Sequence, residues 1–515
     1  VLATIPSASL VGVDGHPVRV ELHAGPGLPG FTVVGLPDAA CREARDRVRA
    51  ALLSSRLEWP LKRMTVNLAP STVRKVGTSL DLAVAVAVLV ASGQVPAAAA
   101  EGLGFLGELG LDGVIRPVPG LICLVDACEA KTVVVPTEGH EEAALVPTRS
   151  LRCSSTLSGL VMALRGEEPW PDPPPPGRPP PPPPPPDLAD VRGQPVARAA
   201  LEVAAAGGHH LLLHGPPGSG KTMLASRLAG LLPDLDDADA LAATRVRSAA
   251  GLGLPPGGLV RRPPYRAPHH GATAVALIGG GSSVLRPGEV SLASGGVLFL
   301  DELAEFPPSV LDALRQPLED GVVRVARANT RATFPSRVLL VAATNPCPCG
   351  GSGRPGGCRC SDAARLRYQR RLSGPLLDRF DLRVEVPKPD VDDLLRGSPG
   401  ESTAQVAQRV RSARALAAER GVRANAELPG SALDRWAPLE PEAAHLLETA
   451  LRQGRLSGRG VHRVRRVART LADLRDRPGP LRRADVAMAL ALRSSLGSEP
   501  AGTPASAAWP GRVAG

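Results

Sequence analysis

Residues 209–222 read HHLLLHGPPGSGKT, a short apolar run that ends in a glycine-rich turn and continues into MLASRLAGLL at helical spacing. This order predicts a strand, a phosphate loop and a helix. Gly215, Gly220, Lys221 and Thr222 meet the pattern G-x-x-x-x-G-K-[ST] in full, and each residue type in it has a mechanical reason. Gly215, Gly218 and Gly220 let backbone N–H groups close round phosphate oxygens, because no Cβ holds the chain away. Pro216, Pro217 and Ser219 complete the loop. The helix that follows aims its unpaired N–H groups and the positive end of its dipole at the same anion. Lys221 adds a compact charge for the β- and γ-phosphates, and the Thr222 hydroxyl is a ligand for Mg²⁺. The chain holds five lysines beside 55 arginines, yet a lysine stands here. The expected ligand is ATP with Mg²⁺.

Eighty residues beyond Lys221, SGGVLFLDEL places the apolar run Val297–Leu300 before two acids. Such a run suits a buried parallel strand, and at its carboxyl end Asp301 is positioned to hold the Mg²⁺ shell while Glu302 orients and deprotonates water. An acidic pair after a strand says little alone; beside a phosphate loop it says a great deal. A third apolar run, Val338–Ala343, ends in Thr344-Asn345, and the Asn345 amide at the tip of the neighbouring strand can bond the γ-phosphate or the attacking water.

Composition bounds the alternatives. The 515 residues are 43% hydrophobic, enough for about three domains, but only 2% aromatic, so stacking of bases on a row of rings is not the expected way of holding single strands. The longest apolar run, Leu82–Ala91, is far shorter than the roughly 20 residues that span a bilayer, and the first twenty residues lack a basic leader region. A cytoplasmic protein with no membrane partner is expected. The net charge of +10 is uneven: residues 1–168 carry −2 and residues 169–515 carry +12. A polyanion would meet the second part, unless the arginines only reflect codon bias.

Residues 1–168 mix short strands (Val18–Leu22, Phe31–Val34, Met64–Leu68, Thr132–Val135) with helical patterns such as Ala39–Ser54, predicting an α+β domain. Within it, GLPGFTVVGLPDAACREARDRVRAAL (27–52) and TVNLAPSTVRKVGTSLDLAVAVAVL (65–89) resemble the N-terminal domain of the ComM/YifB family of magnesium-chelatase-like ATPases. The resemblance implies a fold like the protease domain of Lon (ribosomal S5 domain 2-like). A Lon-type dyad would place its serine at Ser79, but Leu124 stands where the lysine would be. A serine without a base is a poor nucleophile, so Ser79 is read as a packing or turn residue and no peptidase is expected.

Residues 171–186, PDPPPPGRPPPPPPPP, predict a polyproline II spacer. The whole is expected as a Lon-like domain (1–168), a linker (169–187), an α/β AAA+ unit with a parallel sheet (188–395), a helical lid (396–496) and a disordered tail (497–515). The family resemblance runs from about residue 10 to 496, and it implies roles for further residues. Asn345 matches sensor 1 of AAA+ ATPases. Arg379, in SGPLLDRFDLRVEV, looks like the arginine finger of the helix-insert group that includes the magnesium-chelatase ATPase and the MCM helicases; the bland alternative is a surface pair with Asp378 or Asp381. A finger acts across a subunit boundary and implies a ring, a hexamer by resemblance. Arg459 matches sensor 2, reaching the γ-phosphate from the lid.

Three further segments carry expectations. Residues 318–331, LEDGVVRVARANTR, predict a hairpin with Arg324, Arg327 and Arg331 near its tip, which in relatives faces the ring pore and here would hold nucleic-acid phosphates. Residues 261–291, which include RAPHH (266–270), are a second such segment; adjacent His269 and His270 project differently and are read as loop residues rather than as metal ligands. Cys347, Cys349, Cys358 and Cys360 form two Cys-x-Cys pairs, either a structural Zn²⁺ knuckle or free thiols. Arg463, Arg465, Arg466 and Arg469, on an amphipathic stretch, are read as a solvated helix face. Family membership implies DNA as substrate, with helicase or branch-migration activity. The alternative is a chelatase-type ATPase that remodels a protein partner for metal insertion.

Overall fold

The computed structural model describes residues 1–175, 184–281, 284–327, 330–351, 358–372 and 374–493. Most of the proline run and the expected tail lie outside these residues.

The N-terminal part is built on a four-stranded sheet of β1 (Leu2–Val11), β2 (Asp14–Gly25), β3 (Gly30–Val34) and β4 (Arg63–Ala69) in the order β1-β2-β4-β3, with only β3 and β4 parallel. Burial alternates along β4, so one face is packed. Against it lie α1 (Ala39–Ser54), whose first turn is capped by Asp38 accepting from the Cys41 N–H at 2.8 Å, and α2 (Asp81–Ala91). The α2 sequence DLAVAVAVLVA is apolar nearly all round, and it is buried all round. A second, all-parallel sheet joins β5 (Leu103–Phe105), β6 (Thr132–Pro136) and β7 (Ser150–Ser154), with α3 (Leu121–Ala127) and α4 (Leu157–Arg165). Leu124 is fully buried in α3, and the buried Ser79 donates its hydroxyl to the Ala8 carbonyl at 3.0 Å, a packing bond.

The second unit is a five-stranded parallel sheet covered on both faces. Its strands are β8 (Leu211–His214), β9 (Tyr265–Arg266), β10 (Val297–Leu300), β13 (Leu339–Thr344) and β14 (Leu382–Glu385), in the order β9-β10-β13-β8-β14. The strands β11 (Val322–Arg327) and β12 (Thr330–Pro335) form a separate antiparallel hairpin. Every residue of β10 and β13 is buried, as continuous apolar runs in a doubly covered sheet require. Helices α5 (Pro195–Gly207), α6 (Lys221–Leu228) and α7 (Asp237–Ala249), the short α8 (Ala274–Ile278) and α9 (Arg315–Asp320) surround it. The lid comprises α10 (Thr403–Glu419), α11 (Pro441–Arg452), α12 (Gly458–Asp473) and α13 (Arg483–Ala491), and it shares one core with the sheet.

The arginines of α12 correct the solvated-face reading. Arg465 donates to the Leu433 and Ala437 carbonyls, Arg466 to the Leu428 carbonyl, and buried Arg469 to the Gly479 and Arg477 carbonyls and to Asp473. Arg463 bonds the Arg379 carbonyl and Asp381, both at 2.8 Å. The guanidinium forks thus satisfy loop carbonyls left over at turns. The lid is pinned to the start of β8 as well. His209 lies 2.8 Å from the Thr470 hydroxyl and 3.3 Å from Asp381, and His210 accepts from the Leu340 N–H at 3.1 Å. Burial lowers the His210 pKa to about 4, which keeps that ring a neutral acceptor.

The two units touch directly. The Gly120 N–H donates to the Ser248 carbonyl at 3.0 Å, Arg245 pairs with Asp126 at 2.5 Å, and the Ser248 hydroxyl bonds Glu142. At the β1–β2 turn, Gly12 sits with a positive φ of 69° so close to β12 that a Cβ would lie 2.7 Å from that of Ala332.

Candidate nucleotide site

The phosphate loop spans the end of β8 and the start of α6, at the carboxyl edge of the sheet. The Gly215 N–H donates to the Thr344 carbonyl at 3.1 Å, and a Cβ there would stand 2.1 Å from the Val386 carbonyl oxygen, so the loop can leave the sheet at this point only as glycine. Gly220, at φ +91°, turns the chain into the helix. Lys221 is buried and its ammonium donates to the carbonyls of Gly215 (2.7 Å) and Pro216 (2.9 Å) and to Asn345 Oδ1 (3.2 Å). Burial lowers its pKa, against the upward pull of the Asp301 and Glu302 charges. The Thr222 hydroxyl donates to Asp301 Oδ2 at 2.8 Å. Residues from three strand ends therefore meet at one point.

Two observations test whether this loop fits a Mg²⁺–triphosphate. Ser219 is buried, yet its hydroxyl has no hydrogen-bond partner among the described residues, an unspent polar group within the loop. Thr222 and Asp301 offer two hard oxygen donors in contact, the set that Mg²⁺ takes alongside phosphate and water. The residues fit the group.

Glu302 adopts a left-handed conformation (φ 51°, ψ 49°), which costs a non-glycine residue energy and re-aims its side chain at the end of β10. Its carboxylate lies 3.1 Å from His270 Nδ1. The His270 ring stands 4.0 Å from that of His269 and meets Phe306 edge-on at 6.5 Å. Sequence reasoning left both histidines as loop residues, and nothing in their spacing signals this contact.

The two arginines stand elsewhere. Among the described residues neither Arg379 nor Arg459 forms a hydrogen bond or ion pair with Lys221, Asp301 or Glu302. Arg379 is buried and ion-paired with Glu319, on α9. This corrects the expected surface alternative, since Asp378 lies by Arg383 and Asp381 binds Arg463. Arg459 is exposed at the start of α12, and its charge is among those that push the Arg379 pKa down, after burial itself.

The four cysteine sulfurs lie within 4.8 Å of one another, with Cys347 3.4 Å from Cys349 and 3.6 Å from Cys358, and Cys349 3.7 Å from Cys358. Four thiolates at about 2.3 Å from a tetrahedral Zn²⁺ would be about 3.8 Å apart, so the cluster fits that ion. The loop also braces the phosphate loop: a Cβ on Gly350 would lie 2.4 Å from Pro217 Cδ.

On the hairpin, Val323 and Val325 face Phe334 and Ala332 on the packed side, whereas Arg324 and Arg331 share the other face. Arg324, Arg327 and Arg331 are all exposed, and Arg324 pairs with Asp320 at 2.5 Å. No helix among the described residues is long and apolar enough to cross a membrane.

Residues 187–412 match the family model "Magnesium chelatase, subunit ChlI", residues 20–139 that of "Subunit ChlI of Mg-chelatase", and residues 400–493 that of "Magnesium chelatase, subunit ChlI C-terminal". The chain is 47% identical over 483 residues to the uncharacterized protein Rv2897c of Mycobacterium tuberculosis, covering 92% of this chain and 95% of that one. It is 43% identical over 483 residues to the competence protein ComM of Haemophilus influenzae, covering 92% and 94%. A shorter match, 29% identical over 176 residues, covers 34% of this chain and 22% of the probable DNA helicase MCM9 of Arabidopsis thaliana. With its AAA+ sheet, its helical lid and full-length likeness of this degree, the chain belongs to the ComM/YifB family of magnesium-chelatase-like proteins.

Proposed function

We propose that this protein is an ATP-driven ring motor, a hexamer, that moves DNA strands in recombination or uptake, as a helicase or branch-migration enzyme. The observation that carries the reading is the convergence of Lys221, Thr222, Asp301 and Asn345 within hydrogen-bond reach at the carboxyl edge of one sheet. Residues 215–220 cradle the phosphates through backbone N–H groups, and the Lys221 ammonium turns from its carbonyl acceptors to the β- and γ-phosphate oxygens. Thr222 and Asp301 would hold Mg²⁺, which when bound would neutralise charge at the transferring phosphoryl group. Glu302 takes the proton of the attacking water and Asn345 orients it. Arg379 completes the site of a neighbouring copy from across the boundary, because within its own chain it is paired with Glu319 and not with the phosphate loop, and Arg459 reaches the γ-phosphate from the lid.

DNA is supported by three exposed arginines on a hairpin outside the sheet and by the name of the MCM relative. The deciding experiment is ATP hydrolysis with and without single-stranded or forked DNA. Stimulation by DNA is expected, together with binding whose salt slope falls by about 2 in an Arg324→Ala/Arg327→Ala protein, since each lost phosphate contact removes about 0.9. Unchanged slope and stimulation in that protein would remove the hairpin from the DNA path. Activation by a partner protein and not by DNA would move the reading to the chelatase class named by the family model.

The cysteine cluster is proposed to hold a structural Zn²⁺. One zinc per chain is expected by elemental analysis, falling to zero in a Cys358→Ser protein. Because Gly350 packs on Pro217, the same change is expected to weaken ATP binding. Full ATP affinity without zinc would separate the cluster from the phosphate loop.

A further inference from the structure

The pairing of Arg379 with Glu319 has no counterpart in the motifs, and its setting is unusual. Arg379 lies in a cleft of about 230 Å³ lined by His210, Glu319, Asp381, Arg463 and Arg466. Around it the charge is mostly positive, with Arg463, Arg459 and Arg315 all opposing its own. Of the two acids in the cleft, Asp381 is taken: Arg463 holds it at 2.8 Å and His209 at 3.3 Å, and together they keep its carboxyl well below the usual range despite burial. Glu319 alone is left to compensate Arg379. The pair is lopsided, with 11% of the Arg379 side chain exposed against 52% of that of Glu319. The half-exposed carboxylate is readily rehydrated, but the guanidinium it would leave is buried among like charges, so the pair opens only when another anion takes the place of Glu319. Among the described residues, Arg379 Nε is buried with no hydrogen-bond acceptor, so the fork is not fully engaged where it rests.

We propose that Glu319 is a positioning residue that docks Arg379 within its own subunit until the triphosphate of a neighbouring copy competes for the guanidinium. The inference rests on the reading of Arg379 as a group that acts across the subunit boundary. Carboxylate and phosphate present the same paired oxygens to a guanidinium, and the phosphate brings more charge. The docking residue also has a route to the DNA hairpin. Glu319 and Asp320 are consecutive on α9, a six-residue helix that ends at Gly321 and leads straight into β11. Asp320 pairs with Arg324 of that strand. When Arg324 turns to a nucleic-acid phosphate, Asp320 loses its partner, and the end of α9 that carries Glu319 is free to shift. Finger release is thereby tied to occupancy of the hairpin.

The test uses the full chain, with ATP hydrolysis measured with and without a single-stranded oligothymidylate. Glu319→Gln, which keeps shape and removes charge, is expected to raise the DNA-free kcat by about three- to tenfold, leave the KM for ATP within about twofold, and shrink the stimulation by DNA in proportion. Glu319→Asp is expected to restore most of the DNA dependence. In an Arg379→Ala background, Glu319→Gln is expected to change nothing. An unaltered DNA-free kcat in Glu319→Gln, or a fall in kcat together with a lower melting temperature, overturns the docking role. Full hydrolysis by Arg379→Ala alone would instead overturn the cross-boundary reading beneath it.

Discussion

A Lys221→Ala protein is expected to hydrolyse ATP about a hundred- to a thousandfold more slowly, the loss that follows removal of one preorganised charge from a transferring phosphoryl group. The ammonium already stands at the loop: it is buried and held by the Gly215 and Pro216 carbonyls and by Asn345, so binding the phosphates asks only for an exchange of acceptors around a cation already in position. Arginine is not an adequate substitute, since a planar five-donor fork cannot place its donors where a single tetrahedral ammonium sits among these acceptors. Steady-state hydrolysis and titration with a fluorescent nucleotide separate the two losses, and both kcat and affinity are expected to fall. A Lys221→Ala protein with the unaltered kcat would remove the phosphate loop from the chemistry and the proposed motor with it.

Arg379→Ala is expected to cost about a thousandfold in kcat while leaving nucleotide binding nearly intact. The split follows from position, because Arg379 makes no bond to the phosphate loop of its own chain and pairs with Glu319 instead. Mixing inactive Arg379→Ala and inactive Lys221→Ala subunits is then expected to restore part of the activity. Some boundaries in such rings combine an intact Lys221 from one copy with an intact Arg379 from the next. Were Arg379 to serve its own nucleotide, every subunit of the mixture would remain defective and no recovery would be seen.

The reasons why parts of this molecule are legible from sequence, and others are not, are physical. Lys221 and Thr222 announce themselves because a phosphate loop is local: six consecutive residues make the cradle, and the flanking apolar runs fix strand and helix. Val297–Leu300 is read to the residue for the same reason, since a strand buried on both faces has no polar interruption. By contrast, β1 is not among the strands read from sequence, because Pro6 and two serines interrupt the apolar pattern of LATIPSASLV, residues that an outermost strand of a sheet tolerates. Periodicity assigns the core face of α12 through Val464, Val467 and Leu471, but it is silent on which loops fold over its other sides. The acceptors that bury Arg465, Arg466 and Arg469 are backbone carbonyls, which carry no side-chain signature. The contacts of His270 with Glu302 and of Glu319 with Arg379 join residues 32 and 60 positions apart. Only the assembled sheet brings either pair together.

The seam between the two units bears on how this polypeptide can be dissected. A proline-rich stretch invites truncation, as though two modules could be expressed separately and studied in isolation. Yet Val13 is packed into the apolar cluster of the sheet unit, and Leu241 of α7 into that of the N-terminal unit. Cutting between them would strip cover from both, leaving each fragment with a greasy scar prone to self-association, and would take away the abutment at Gly12 that meets β12 from behind. A fragment lacking the first 168 residues would thus lose the backing of the hairpin along with its neighbour, and a defect in strand movement measured on it would report the missing backstop as much as the missing domain.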